Sequence, residues 1–403
     1  VTSLGGGMAS SAPEPSFMHG KGMWAAAVVG PNGCLYAPPC NADRILRVDC
    51  STGEATLIGP DLAGSTWKYA AAVLGPDGCI YAPPCNAGRV LRIDCATDSV
   101  ELLHPDFGHG GHKYHCAVLG PDGCVYALPN DHERVLRVDC KRRDVRLIGP
   151  DFGGRGKWCA AVLGPDSCIY APPNNARFVL RVDCISRTVQ CIGPDLSLIA
   201  DAGGSGSWVC AVASPDGCIY APPFDAAQVL RVDCAKQTVE LMGPDFAPMG
   251  HKWHTAAMGG NGQFYAAPCN AGRSLFIDPA LLSAGPASKV FQRFPVSQEK
   301  WRCVVAGPDG RVYAIPWNFD QVLCLDCRAG VAHVEAQLLG DDFPEAEQRW
   351  RAAALGPNGV IYGVPYDAGQ LLRVDCARHA VDLLGPRPPP PVKEAALEMP
   401  ESE

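Results

Sequence analysis

A chain of 403 residues with 44 glycines, 37 prolines and only 19% charged residues is long enough for a sizeable core and too often interrupted for long helices. Its net charge of −8 argues against nucleic acid as the main partner, because phosphate binding needs a surplus of cations. No apolar run approaches the roughly 20 residues of a membrane-spanning helix, so no membrane span is expected.

Residues 1–16, VTSLGGGMASSAPEPS, are small and polar and read as a flexible segment. A start at Val1 without methionine fits a mature form or an excised piece, part of a longer chain or complex, and leaves a signal peptide unjudged. From 17 to 386 one unit recurs eight times, opening at Trp24, Tyr69, Tyr114, Trp158, Trp208, Trp253, Trp301 and Trp350, 44 to 50 residues apart. A period of that length with several short strands per unit belongs to a β-propeller or a similar array.

Each unit opens on a small apolar strand after the aromatic, as in Trp158-Cys159-Ala160-Ala161-Val162-Leu163, ending at a turn spelled GPDG, GPNG, GPDS, SPDG or GGNG. Proline sets φ at the first corner, Asp or Asn caps it, and glycine accepts the positive φ that follows. A second strand such as Cys168-Ile169-Tyr170-Ala171 runs into prolines, which cannot donate to a ladder. A loop of Asn, Asp, Ala and Gly leads to a third strand, VLRVD, with the alternation of a half-buried strand. The fourth, as in Val239-Glu240-Leu241-Met242, leads to GPDF or GPDL, whose Phe or Leu is expected to plug the gap between blades. The fold class expected is therefore all-β, a β-propeller of eight four-stranded blades, with seven blades plus one extra unit as the alternative. No strand is shared between the two ends, so closure rests on packing of the first blade against the last. Residues 387–403, RPPPPVKEAALEMPESE, form a proline-rich acidic tail.

The 21 cysteines fall mostly at two places in the repeat. Cys34, Cys79, Cys124, Cys168 and Cys218 open the second strand; Cys50, Cys95, Cys140, Cys184 and Cys234 close the third, each sixteen residues on. A hairpin with its turn midway sets these ends opposite each other, within disulfide range, so one bridge per blade is expected in the first five units. Each would contribute on the order of 3 kcal/mol. Reduced core thiols are the alternative, and localisation stays open, secreted or lumenal if the cysteines pair.

The aspartate of RVDC occurs in every unit (Asp49, Asp94, Asp139, Asp183, Asp233, Asp278, Asp326, Asp375) and is expected to cap the turn after it rather than bind a ligand. Variation lies in the loops between strands two and three and between blades, which emerge on one face. An Asn or Asp follows a variable residue there, and a cation precedes the aromatic in most units. Lys68, Tyr69, Asn86, Lys113, Tyr114, Asn175, Asn270, Trp317, Asn318 and Tyr366 are the candidate ligand-binding residues, suited to a polar or acidic ligand or a protein segment. Histidines supply the only hint of a metal: His109, His112 and His115 in GHGGHKYHC and His132 in the facing loop, echoed by His251 and His254. Solvated histidines in glycine-rich loops are commoner, so no cofactor is expected.

The unit GPDGxIYxxPxxAxxVLRIDxxTxxVxxIG resembles the propeller repeats of the NHL, YVTN and virginiamycin-B-lyase-like type, and those of uncharacterised repeat proteins of unicellular algae such as dinoflagellates and haptophytes. Resemblance to the lyases implies a metal-assisted His and Glu site at the channel mouth; this sequence departs from it, since Glu133 is the one glutamate in the Asn/Asp loops. Resemblance to lactonase-like propellers implies a calcium ion held by Glu, Asn and Asp, but here Asn and Asp follow the turn pattern of every blade. The functional expectation is a non-catalytic binding or scaffolding propeller that engages a protein or glycan at the loop face around the channel mouth. The alternative is a metal-dependent lyase or hydrolase at that mouth, and a purely structural module within a larger chain is the third reading. No nucleophile elbow, phosphate loop or dinucleotide fingerprint occurs.

Overall fold

The computed structural model describes residues 20–197, 206–246, 249–286, 294–296, 298–328, 334–343 and 347–385. The expected terminal segments 1–16 and 387–403 lie outside them. Eight four-stranded antiparallel sheets follow one another, each meandering in chain order. Blade 1 comprises Val28–Val29, Cys34–Ala37, Ile45–Asp49 and Ala55–Ile58; blade 8 comprises Trp350–Leu355, Val360–Pro365, Leu371–Asp375 and Ala380–Leu384. Among the described residues no helix is long and apolar enough to cross a membrane.

Three repeated devices turn the sequence unit into a blade. The opening aromatic is buried, and its polar atom donates to a carbonyl twenty residues on, as Trp253 Nε1 does to Arg273 O at 3.0 Å and Tyr114 Oη to Arg134 O at 3.1 Å. The plug residue of the preceding unit meets it edge-on: Phe152 against Trp158 at 5.1 Å, Phe246 against Trp253 at 5.0 Å, Phe343 against Trp350 at 5.0 Å. The second-strand tyrosine binds the turn's acid and reaches into the next blade. Tyr81 Oη lies 2.8 Å from Asp77 and 3.3 Å from Cys140 O; Tyr126 Oη lies 2.9 Å from Asp122 and 3.4 Å from Cys184 O. The RVDC aspartates cap their turns in all eight blades, from Asp49 accepting Ser51 N at 2.8 Å to Asp375 accepting Ala377 N at 3.1 Å.

Blade 8 closes on blade 1 by the same means. Tyr362 Oη donates to Cys50 O at 3.0 Å, Trp24 N to Pro365 O at 3.2 Å, and Trp24 and Leu35 share a core with Val360 and Tyr362. No strand crosses between the two sheets.

The expected bridges do not form: all 21 cysteines are free thiols. The reason is one residue of register. Cys34 pairs with Asp49, Cys79 with Asp94, Cys124 with Asp139, Cys168 with Asp183 and Cys218 with Asp233. The second cysteine of each expected pair (Cys50, Cys95, Cys140, Cys184, Cys234) therefore sits one step further on, and one step turns a side chain to the other face. Cys79 packs toward blade 3, among Tyr114 and Val125, whereas Cys95 packs toward blade 1, among Cys34 and Tyr36. The strand-two thiols instead meet the arginine of RVD, as in Arg92 Nη2 to Cys79 Sγ and Arg137 Nη2 to Cys124 Sγ, both 2.7 Å.

Candidate functional site

Two repeat positions build the mouth of the central channel. The first lies two residues before the aromatic and takes left-handed backbone in every blade: Gly22, Trp67, His112, Gly156, Gly206, His251, Glu299 and Gln348, with φ between 43° and 124°. In seven blades its N–H is received by the loop Asn or Asp of the preceding blade, as in Trp67 N to Asn41 Oδ1 at 2.8 Å and His251 N to Asp225 Oδ1 at 2.6 Å. Glycine satisfies that conformation in three blades; in the other five a side chain is held there at a cost of about 1 kcal/mol or more each.

The second position directly follows the aromatic: Ala25, Ala70, His115, Cys159, Val209, His254, Arg302 and Arg351. In blades 6 to 8 the ladder breaks register here, between Trp253 and Ala256, Trp301 and Cys303, and Trp350 and Ala352. Such bulges re-aim a side chain. Arg351 of blade 8 exerts its charge on His115 of blade 3, Cys159 of blade 4 and His254 of blade 6, which places it near the axis of the ring.

The two guanidinium groups lie over aromatic faces. Arg302 sits 4.4 Å from the Trp317 ring; Arg351 sits 4.8 Å from Trp67 and 5.7 Å from Tyr366. Glu299 holds Arg302 Nη2 and His251 Nδ1 at 2.5 Å each, and this pairing keeps the Glu299 carboxyl down at about 2. Arg351 has neither a hydrogen bond nor an ion pair among the described residues. Four buried polar atoms of this wall also lack a partner there: His115 Nε2, His254 Nδ1, Arg302 Nε and Trp317 Nε1. Burial first, then neighbouring arginines, depress His115 to about 4 and His254 to about 3, so both imidazoles are neutral near pH 7.

The ten residues singled out from sequence divide into two groups. Lys68 and Lys113 are buried, their ammonium groups spent on loop carbonyls: Ser65 O at 2.9 Å for Lys68, Gly108 O and Gly110 O at 2.7 and 2.6 Å for Lys113. Tyr69 and Tyr114 are blade anchors, bonded to Arg89 O and Arg134 O. Asn86, Asn270 and Asn318 bridge the loops of adjacent blades, accepting from His112 N, Glu299 N and Gln348 N at 2.8 Å each, while Asn175 lies over Gly156. Trp317 and Tyr366 do join the mouth, with ring centroids 5.1 Å apart. Among the histidines, His112 and His115 come together, 5.8 Å between ring centroids. His132 instead stacks on Tyr114 at 5.1 Å, and His109 lies by Lys68, Arg89 and Asp106. Sequence reading missed Trp67, Arg302 and Arg351. The signal for Trp67 was available as a position that is glycine in some blades and bulky in others.

A second cleft, of about 820 Å³, opens on the opposite face, between the GPDG turns of blades 2 and 3 and the turns that join the third and fourth strands of blades 3 and 4. Four of its six cations are paired, Arg92 with Asp77 and Asp94 at 3.6 Å, Arg137 with Asp122 at 3.0 Å, Arg142 with Asp139 and Arg143 with Glu101 at 3.4 Å; Lys141 and Arg187 have no ion pair among the described residues.

The fold defines the chain as an eight-bladed β-propeller. Among solved structures it is similar to virginiamycin B lyase from Staphylococcus aureus, with a TM-score of 0.56 and 13% identity over 75% of this chain and 94% of that one. It is also similar to Kuenenia stuttgartiensis hydrazine synthase, with a TM-score of 0.54 and 13% identity over 92% and 99%. The dihydro-heme d1 dehydrogenase NirN gives 0.55 and 14% over 81% and 67%. Identities this low show the propeller fold alone, and the three neighbours differ in function. No family profile matches the sequence, and no curated protein does.

Proposed function

We propose that the protein is a binding propeller whose loop face, around the channel mouth, captures an anionic group presented by a protein segment or an acidic glycan. The observation that carries this reading is the pair of ring-backed guanidinium groups, Arg302 and Arg351, set among buried donors with no partner among the described residues. Buried polar atoms are normally hydrogen-bonded, and an unpaired one costs about 1 to 3 kcal/mol. A carboxylate, sulfate or phosphate would pair with the guanidinium of Arg351, which is only partly buried and has no acid partner among the described residues. A cationic mouth on a chain of net charge −8 also focuses attraction at one place. Trp67, only partly buried, adds flat apolar surface beside the charge, backed by the buried rings of Tyr366 and Trp317.

Replacing both cations, Arg302→Met with Arg351→Met, tests the reading on arrays of acidic glycans and acidic peptides. Capture by the wild-type protein should fall at least tenfold in the double variant while the melting temperature stays within a few degrees. Undiminished capture by a folded double variant would move the site elsewhere. The metal-dependent lyase or hydrolase alternative would draw on the same mouth and needs a bound ion there.

A further inference from the structure

The same two histidines occur at the same two repeat positions in blades 3 and 6: His112 and His115, His251 and His254. Their neighbours differ. In blade 6 the residue reaching over from the preceding blade is Phe224, which stacks on His251 at 4.4 Å and meets His254 edge-on at 5.5 Å, while Glu299 takes His251 Nδ1. In blade 3 the residue at that place is Cys85. Its Sγ lies 3.7 Å from His112 Nδ1, and one ligand atom each from Cys85, His112 and His115 falls within 4.8 Å of the others.

The backbone fixes this arrangement. Cys85 is fully buried, its N–H given to Lys68 O at 2.9 Å and its carbonyl receiving Lys113 N at 2.9 Å. His112 is held in left-handed backbone with its N–H on Asn86 Oδ1 at 2.8 Å, and His115 is stacked with Trp67 at 6.3 Å. His115 Nε2 is among the buried atoms with no partner in the described residues. Tetrahedral bonds of about 2.3 Å to sulfur and 2.0 Å to nitrogen set sulfur about 3.5 Å from nitrogen and two nitrogens about 3.3 Å apart; the Cys85 to His112 distance of 3.7 Å needs only a small closure to meet the first.

We propose that Cys85, His112 and His115 bind one thiophilic cation, Zn2+ or Cu+, at the channel mouth. One thiolate and two imidazoles suit either ion and disfavour magnesium and calcium, which take oxygen ligands. Three protein ligands leave a position open toward the channel. Blade 6 is the internal control, since the same histidine pair there is closed off by an aromatic ring and a carboxylate. The inference stands apart from the anion-binding reading, because it needs neither Arg302 nor Arg351.

The test strips the full-length protein with a chelator and titrates it with Zn2+ and, under reductant, with Cu+. One ion per chain is expected. Cys85→Ser and His112→Ala should each weaken binding at least tenfold, and Cys191→Ser, at an exposed thiol, should leave it unchanged. Less than one ion bound, or an unaltered affinity in Cys85→Ser, would overturn the site. X-ray absorption on the loaded wild-type protein decides the matter even if a variant fails to fold. One sulfur and two imidazole nitrogens around the ion support the proposal, and a sphere of nitrogen and oxygen alone refutes it.

Discussion

Left-handed backbone at the mouth carries side chains that the scaffold alone does not require. Trp67, His112, His251, Glu299 and Gln348 occupy a conformation that Gly22, Gly156 and Gly206 adopt without strain. The same conflict occurs far from the mouth at Ser167, with φ 66° in a turn where the other seven blades carry glycine. Ser167→Gly is expected to raise unfolding free energy by up to about 1 kcal/mol, read from the urea midpoint. The buried lysines behave oppositely. Lys300 is fully buried and donates to Cys269 O at 2.8 Å and Pro295 O at 2.6 Å. Lys300→Met should cost about 1 to 3 kcal/mol in the same denaturation assay, because two carbonyls lose their donor. A sequence shows that a lysine stands beside the opening aromatic, not whether its ammonium points to water or into a loop. That is why Lys68 and Lys113 looked like ligand residues. Trp317 and Tyr366 stood out as aromatics in that loop, a mark that Phe224 shares at the same repeat position.

At the scale of the strand, the repeat made the four strands, the turn chemistry and the aspartate caps readable, since each rests on local spacing. Register was not readable to one residue, and the cysteines turned on that one residue. With Cys79 opposite Asp94, the thiols of Cys79 and Cys95 belong to different blade interfaces. A non-reduced digest should therefore return both as free thiols, and a Cys79 to Cys95 linked peptide would refute the register. The bulges at Arg302 and Arg351 were hidden for a similar reason: a strand pattern has no mark for an extra residue that re-aims its neighbour. Tyr362 offers an element-scale test of closure, because its hydroxyl joins blade 8 to Cys50 O of blade 1. Tyr362→Phe should lower stability by about 1 kcal/mol, and no loss would show that this bond does not help to close the ring.

For the whole molecule, a core lined with reduced thiols sets the response to alkali. Burial is the leading cause that pushes these thiols up, Cys116 and Cys159 to about 12 and Cys50 and Cys376 to about 11. A thiol raised in the folded state holds its proton while the unfolded chain gives it up. That stability is fully present below pH 8.5 or so and is lost as pH rises through about 11 to 12, at about 1.4 kcal/mol per pH unit for each thiol. Thermal melts under reductant should fall steeply between about pH 9 and 11, and a flat profile would mean the thiols are not buried as described. The ring of eight blades was legible because eight complete units stand in phase. The mouth was not, since its chemistry comes from residues of blades 2, 3, 6, 7 and 8 that no single repeat brings together.

That convergence is tested most directly with benzoate and benzamide, two probes of one size that differ in charge, by saturation-transfer NMR on the wild-type protein and on Arg302→Met with Arg351→Met. The account predicts transfer to benzoate that is absent from benzamide and lost in the double variant. Equal transfer to both probes, or benzoate binding that survives the loss of both arginines, would contradict it.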